Sequence, residues 1–141
     1  MGLFKTFGTD KTLEKTGIWL EYLDDENPDA PPERIRIAYA GGANDAFLKR
    51  MEALMKPLKH QIQHEVVERV RLEAIVRQVY ADTVVLAWEN VRDENGAPIA
   101  FSKENVLDLF QRLPHLYDDI VKQSQRLTLF RKEVREAIAG N

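Results

Sequence analysis

The sequence predicts an α+β fold, mainly α, in which an N-terminal β-hairpin packs on a bundle of about four helices. Residues 17–40 contain two short segments in which apolar and polar residues alternate, as in half-buried strands. Residues 43–91 and 102–139 place apolar residues three or four positions apart, as in amphipathic helices. Between the two helical parts, residues 92–101 form a polar segment with the glycine and proline of a turn.

The composition is that of one globular domain. The chain has 141 residues, of which 44% are hydrophobic and 30% are charged, and this argues against disorder. It has no cysteine, which excludes disulfides, thiolate catalysis and cysteine-ligated zinc. Its net charge of −3 gives no general attraction to nucleic acid. Because the sequence has neither a membrane-length apolar run nor a signal-peptide pattern, we expect a cytoplasmic protein that is neither secreted nor membrane-spanning.

The first 40 residues are predicted to hold the hairpin. Residues 1–16 show no clear period, so we expect them to be irregular and mobile. Gly17–Leu23 is rich in aromatic and branched residues, and Glu33–Tyr39 alternates isoleucine with arginine; each predicts a strand. The acidic, proline-containing residues 24–32 join them as a loop. Since an isolated hairpin is marginal in water, its apolar face should pack on the helices.

Two helices are predicted in residues 43–91. A glycine pair interrupts the second strand, and Asn44 is placed to cap a helix that ends or bends at Pro57. A longer helix is predicted from Lys59 to Val91, because apolar residues recur at helical spacing; one stripe comprises Leu72, Val76, Tyr80, Val84 and Trp88. The branched residues in Thr83–Leu86 also suit a strand, but the spacing favours a helix.

The segment 92–101 is predicted to reverse the chain. Gly96 supplies left-handed backbone geometry without steric cost, and Pro98 cannot continue a helix. Trp88 lies before this turn and Phe101 after it, so we expect their side chains to fold back on each other.

Two further helices are predicted after the turn. Ser102 is placed to cap an amphipathic helix over Lys103–Leu113, whose apolar positions are Val106, Leu107, Phe110 and Leu113. Pro114 suits the first position of the next helix. Acidic residues near its start and basic residues near its end match the helix dipole, so we predict one helix that continues to about residue 139.

Two arrangements could bind a metal ion. His60 and His64 have the spacing of helical zinc proteases, but Gln61 stands where those enzymes need a glutamate base. The acidic loop lacks the alternation and central glycine of a calcium loop; its acids are Asp24, Asp25, Glu26 and Asp29. We therefore predict no metal and no other cofactor.

The remaining candidates for chemistry are also weak. Ser102 or Ser124 with His115 could supply a nucleophile and a base, but no nucleophile-elbow motif surrounds either serine. Gly41 and Gly42 lack the following Lys-Ser/Thr pair of a phosphate-binding loop. We predict no catalytic site. The residues that could form a basic patch for nucleic acid, a less favoured alternative, are Arg34, Arg36, Lys49 and Arg50.

An ordered set of motifs runs through the chain from Ile35 to Asn141. A tryptophan precedes an acid-X-X-Gly-X-Pro turn, a serine then caps a helix, and a proline precedes the last helix. The positions are Trp88, Asp93, Gly96, Pro98, Phe101, Ser102, Asn105, Leu113, Pro114, Ile120 and Phe130. This layout resembles the tail assembly chaperones of long-tailed, siphovirus-like bacteriophages. Residues 1–29 match no motif of that family.

The resemblance implies a non-catalytic chaperone that acts in the host cytoplasm and is absent from the finished virion. Its implied partner is the tape measure protein, a long helix-rich chain with apolar stripes, which it keeps soluble while the tail tube assembles. The tail tube protein is a second implied partner, and self-association and a longer frameshifted form stay open. An amphipathic helical protein can cover apolar stripes with its own apolar face.

Three alternative functions remain. One is a structural tail or head-completion protein that is retained in the virion. Another is a small metal-dependent enzyme that uses His60, His64 and the acidic loop. The third, a helical regulator of transcription, is disfavoured by the acidic net charge and the lack of a recognition-helix pattern.

Overall fold

A computed structural model describes residues 2–60 and 68–131 and confirms the α+β, mainly α class. The helices are α1 (Leu3–Phe7), α2 (Lys11–Thr16), α3 (Asp45–Met55), α4 (Arg69–Thr83), α5 (Lys103–Arg112) and α6 (Pro114–Gln123). The strands are β1 (Ile18–Tyr22), β2 (Glu33–Ile37) and β3 (Val85–Glu89). Short 3-10 turns cover Lys56–Leu58 and Leu127–Phe130.

The predicted hairpin is present, and it belongs to a three-stranded antiparallel sheet in the order β1-β2-β3. In the hairpin, Ile18 lies opposite Ile37. In the second pairing, Ile35 lies opposite Trp88. Because Ile35 and Ile37 are buried, one face of the central strand belongs to the core.

Strand β3 shows that the predicted helix from Lys59 to Val91 is wrong in its last part. The helix α4 ends at Thr83, and residues 85–89 pair with β2. Their pairing partner lies about 50 residues earlier in the chain, so local apolar spacing could not show it. Asn90, with φ 59, takes a left-handed conformation directly after the strand. Residues 61–67 of the predicted helix lie outside the described residues.

The N-terminal segment, predicted to be irregular, contains the two short helices α1 and α2. The Asp10 carboxylate accepts hydrogen bonds from the backbone N–H groups of Thr12 (2.9 Å) and Leu13 (3.3 Å), and so caps α2. The Leu13 side chain is buried. Helices this short show too few turns for a periodic pattern, which is why the sequence did not reveal them.

Asn44 occupies the position before α3 as predicted, but its side chain does not cap that helix. Its amide nitrogen donates to the carbonyl oxygens of Tyr39 (2.9 Å) and Thr83 (3.1 Å). Asn44 is buried, so these bonds tie the chain after β2 to the end of α4. The helix α3 ends at Met55, before Pro57, as predicted.

The helix α6 ends at Gln123, whereas the sequence predicted a helix to about residue 139. The Ser124 hydroxyl donates to the Val121 carbonyl oxygen at 2.8 Å, a local bond that competes with helix continuation. The Ser124 carbonyl oxygen accepts from the backbone N–H of Ala40 at 3.0 Å, which fixes the direction of the chain. Residues 132–141 of the predicted helix lie outside the described residues.

The predicted starts of α5 and α6 are confirmed. The Ser102 hydroxyl oxygen accepts from the Asn105 backbone N–H at 3.0 Å, which caps α5. Pro114 is the first residue of α6.

An aromatic cluster joins α4 to α3, α5 and α6. Tyr80 makes edge contacts with Phe47 of α3 and Tyr117 of α6, with ring centroids 5.5 and 5.9 Å apart. Phe110 of α5 lies 4.9 Å from the Tyr117 ring. This cluster fixes α4 beside the corner that α5 and α6 form.

Gly96 has the predicted left-handed backbone, with φ 83, and apart from its two chain neighbours no residue has an atom within 4 Å of the position that a Cβ would take. Gly96→Val should therefore lower the free energy of unfolding through backbone strain alone, by about 1–2 kcal/mol. Gly96→Asn should cost less, because asparagine tolerates this conformation better. Equal thermal melting curves for wild type and Gly96→Val would contradict this account of the turn.

Candidate interaction groove

A groove of about 660 Å³ runs between α4 and the corner of α5 and α6. Its volume lies in the range of about 300–1,000 Å³ that is typical of ligand-binding clefts. The floor is apolar and partly aromatic; it comprises Leu72, Val76, Phe110, Pro114 and Tyr117. Such a floor favours apolar side chains as its occupants.

Helix geometry explains the two walls of the groove. Leu72 and Val76 are four residues apart on α4, so they share one face of that helix. The α5–α6 corner forms because Leu113 leaves helical geometry (φ −127, ψ 73) and Pro114 starts a new helix. The sequence had placed Leu72 and Val76 on an apolar stripe, but it could not show that the stripe faces this corner.

The rim of the groove carries both signs of charge. Arg69 and Glu73 of α4 form an ion pair with an N···O distance of 2.7 Å. The Arg77 guanidinium lies 5.8 Å from the centre of the Tyr117 ring. Burial raises the pKa of Tyr117 to about 12, so its hydroxyl stays protonated at neutral pH. Asp118 supplies a carboxylate on the opposite rim.

Two smaller depressions, of about 330 and 210 Å³, lie on the other side of the α5–α6 corner. They share the apolar residues Leu109 and Leu113. One is bordered by an ion pair between Arg112 and Glu94. Their smaller volumes make the groove beside α4 the better candidate for a large apolar ligand.

The structure brings the predicted turn motif together. The Trp88 indole is buried, and its N–H donates to the Ile99 carbonyl oxygen at 2.8 Å. The Trp88 and Phe101 rings meet edge to face, with centroids 5.3 Å apart. In the turn itself, Asp93 accepts from the backbone N–H groups of Asn95 and Ala97 at 2.9 Å each. The residues from Trp88 to Phe101 therefore support the fold and lie apart from the groove, whereas Pro114 of the same predicted set lines it.

The candidate metal ligands do not assemble within residues 2–60 and 68–131, where no cluster of three or more His, Asp or Glu side chains is placed to bind an ion. His60 is exposed, and His64 lies outside the described residues. In the acidic loop, Asp24 accepts hydrogen bonds from the backbone N–H groups of Glu26 (3.0 Å) and Asn27 (3.2 Å). That carboxylate therefore shapes a turn.

The serines predicted as candidate nucleophiles have hydroxyl groups that are engaged in structural contacts. Ser102 caps α5, and Ser124 is fully buried with its hydroxyl bonded to a backbone carbonyl. His115 lies exposed in the first turn of α6. These contacts give both serines structural roles.

Two of the four candidate nucleic-acid-binding cations are paired with acids. Arg34 of β2 lies 3.3 Å from Glu21 and 2.9 Å from Glu89, one on each neighbouring strand. Arg50 of α3 lies 2.9 Å from Asp82 of α4. This pairing reduces the positive potential that the nucleic-acid alternative requires.

The fold and the groove define a small α+β protein with a helix-lined apolar groove. A family model described as YdaY prophage protein matches residues 42–141, more than half of the chain. The chain therefore belongs to this family and is of phage origin. No curated protein and no solved structure matches it. The matched region contains the whole groove and leaves out α1, α2, β1 and β2. In the described part of the chain, no helix is long and apolar enough to span a bilayer.

Proposed function

We propose that this protein is a non-catalytic phage tail assembly chaperone that acts in the host cytoplasm. It binds the tape measure protein and keeps it soluble while the tail tube assembles. The phage origin of the family and the layout of the turn motif support this proposal. The observation that carries it is the apolar groove between α4 and the α5–α6 corner.

The groove has the dimensions to receive a helix with an apolar stripe. Its α4 wall runs from Arg69 to Arg77, about 12 Å along the axis at about 1.5 Å per residue. Two turns of a client helix span a similar length and present anchors at positions i, i+3 or i+4, and i+7. The charges on both rims can pair with polar residues that flank a client's stripe.

Coexpression with a tape measure fragment tests the proposal. We expect the wild-type chain to raise the soluble fraction of the fragment, and Leu72→Asp to remove most of that gain. The physical reason is that the new carboxylate would have to be desolvated under the bound client. The matched control is Ala74→Asp, which introduces the same carboxylate at an exposed position of α4 that does not line the groove.

Three outcomes separate the possibilities. If the wild-type chain gives no gain in soluble fragment, the chaperone proposal is wrong. If Leu72→Asp keeps the wild-type melting temperature and still solubilises the fragment, the client binds elsewhere. Abundant signal for this chain in mass spectra of purified virions would instead favour a structural component of the particle.

A further inference from the structure

Helix α1 presents large apolar side chains to solvent. The exposed fractions are 75% for Leu3, 95% for Phe4 and 63% for Phe7. Leu3 and Phe7 are four residues apart and Phe4 lies next to Leu3, so the three side chains form one patch. A grouped apolar patch of this kind marks an interaction site more often than scattered apolar residues do.

Hydrogen bonds with the C-terminal part of the described chain hold α1 and the residues that follow it in place. The Arg131 guanidinium donates to the carbonyl oxygens of Gly8, at 3.2 Å, and Thr6. The Asp10 backbone N–H donates to the Phe130 carbonyl oxygen at 2.7 Å. A helix seated in the groove would have its apolar side chains buried, so the exposure of Phe4 shows that α1 does not occupy the groove of its own chain.

The groove fits α1 in length and polarity, and its rim offers one carboxylate to the single positive charge of α1. Five helical residues span about 7.5 Å at about 1.5 Å per residue, which is shorter than the α4 wall. The patch is apolar, as is the groove floor. Lys5 gives α1 a positive charge, and Asp118 offers a negative charge on the groove rim. Within the described residues, neither of these two side chains forms an ion pair.

We propose that α1 of one copy inserts Leu3, Phe4 and Phe7 into the groove of a second copy. The two contacting surfaces differ, so the contact is heterologous and repeats from copy to copy. Self-association then covers the groove until a client displaces α1. That last consequence rests on the proposed chaperone function, whereas the association itself does not.

Sedimentation or light scattering of the full chain over a range of concentrations tests the association. We expect wild type to form concentration-dependent assemblies. Phe4→Asp and Leu72→Asp should each raise the dissociation constant by about tenfold or more, since each places a charge in the contact. The matched controls Thr6→Asp and Ala74→Asp carry the same change on the same helices at other exposed positions, and they should associate as wild type does.

A mixing experiment decides the geometry. Phe4→Asp keeps an intact groove and Leu72→Asp keeps an intact α1, so the two variants together should form a 1:1 heterodimer that grows no further. If Leu72→Asp is unstable, Asp118→Lys replaces it in the mixture. This substitution removes the charge partner of Lys5, and because Asp118 is exposed it leaves the core packing unchanged.

Several results would overturn the proposal. Wild type that stays monomeric at all concentrations would do so, and would leave the chaperone function untouched because no client is present. A monomeric mixture of the two variants would exclude α1-in-groove contact. If Leu72→Asp or Asp118→Lys associates as strongly as wild type, the groove is not the contact surface, and either α1 helices pair with each other or another surface is used.

Discussion

Trp88→Ala should lower the free energy of unfolding by about 3–5 kcal/mol, the cost typical of truncating a buried tryptophan. The indole is 9% exposed, it meets the Phe101 ring edge to face, and its N–H bonds the Ile99 carbonyl oxygen. The substitution would leave a cavity between β3 and the segment that leads into α5. Since a domain is typically stable by only about 5–15 kcal/mol, chemical denaturation should show a large shift of midpoint.

Trp88→Phe separates packing from hydrogen bonding at this site. It keeps a ring beside Phe101 but leaves the Ile99 carbonyl oxygen without its donor, so we expect a loss of about 1–3 kcal/mol. A Trp88→Ala loss below about 1 kcal/mol would show that the indole is not a core side chain.

The sequence predicted those parts of the fold whose signals are local. The β1–β2 hairpin follows from alternation within each strand. The start of α5 depends on a hydrogen bond between Ser102 and Asn105, and the start of α6 suits Pro114 because proline lacks the N–H that would be unpaired there. Left-handed geometry at Gly96 likewise follows from a residue type and its neighbours. All of these predictions could be made from residues that are close together in the sequence.

Three of the missed features, namely strand β3, the end of α6 and the role of Asn44, depend on distant partners. Residues 85–89 become a strand because β2 offers an open edge for pairing, although Val84 and Trp88 also suit a helix. Similarly, the backbone bond between Ala40 and Ser124 holds the chain where α6 ends. Asn44 illustrates the same limit, since one of its two carbonyl partners, Thr83, lies 39 residues later at the end of α4.

The candidate groove could be predicted only in part. The apolar stripe that contains Leu72 and Val76 was visible in the sequence, and so was Phe110 on the following helix. Their meeting across one groove depends on how Tyr80 and Tyr117 pack, a contact between residues 37 positions apart. The α1 patch gave no periodic signal, because five residues are too few for one.

Phe130→Ala should also lower the free energy of unfolding by about 3–5 kcal/mol. Its side chain is fully buried, and its ring meets the Tyr39 ring edge to face at a centroid distance of 5.2 Å. Tyr39 follows β2, and the Phe130 carbonyl oxygen accepts from Asp10, so this residue joins the N-terminal helices to the sheet. We therefore expect faster hydrogen exchange of the Asp10 amide as well as a lower denaturation midpoint.

The controls distinguish this role from a general weakness of the 3-10 turn. Thr128→Ala changes an exposed residue of the same turn and should alter stability by less than about 0.5 kcal/mol. Phe130→Leu refills most of the volume but removes the ring contact with Tyr39, so its loss should fall between the other two. If Phe130→Ala destabilises the protein while Asp10 stays protected from exchange, the N-terminal helices are held by Arg131 rather than by the buried ring.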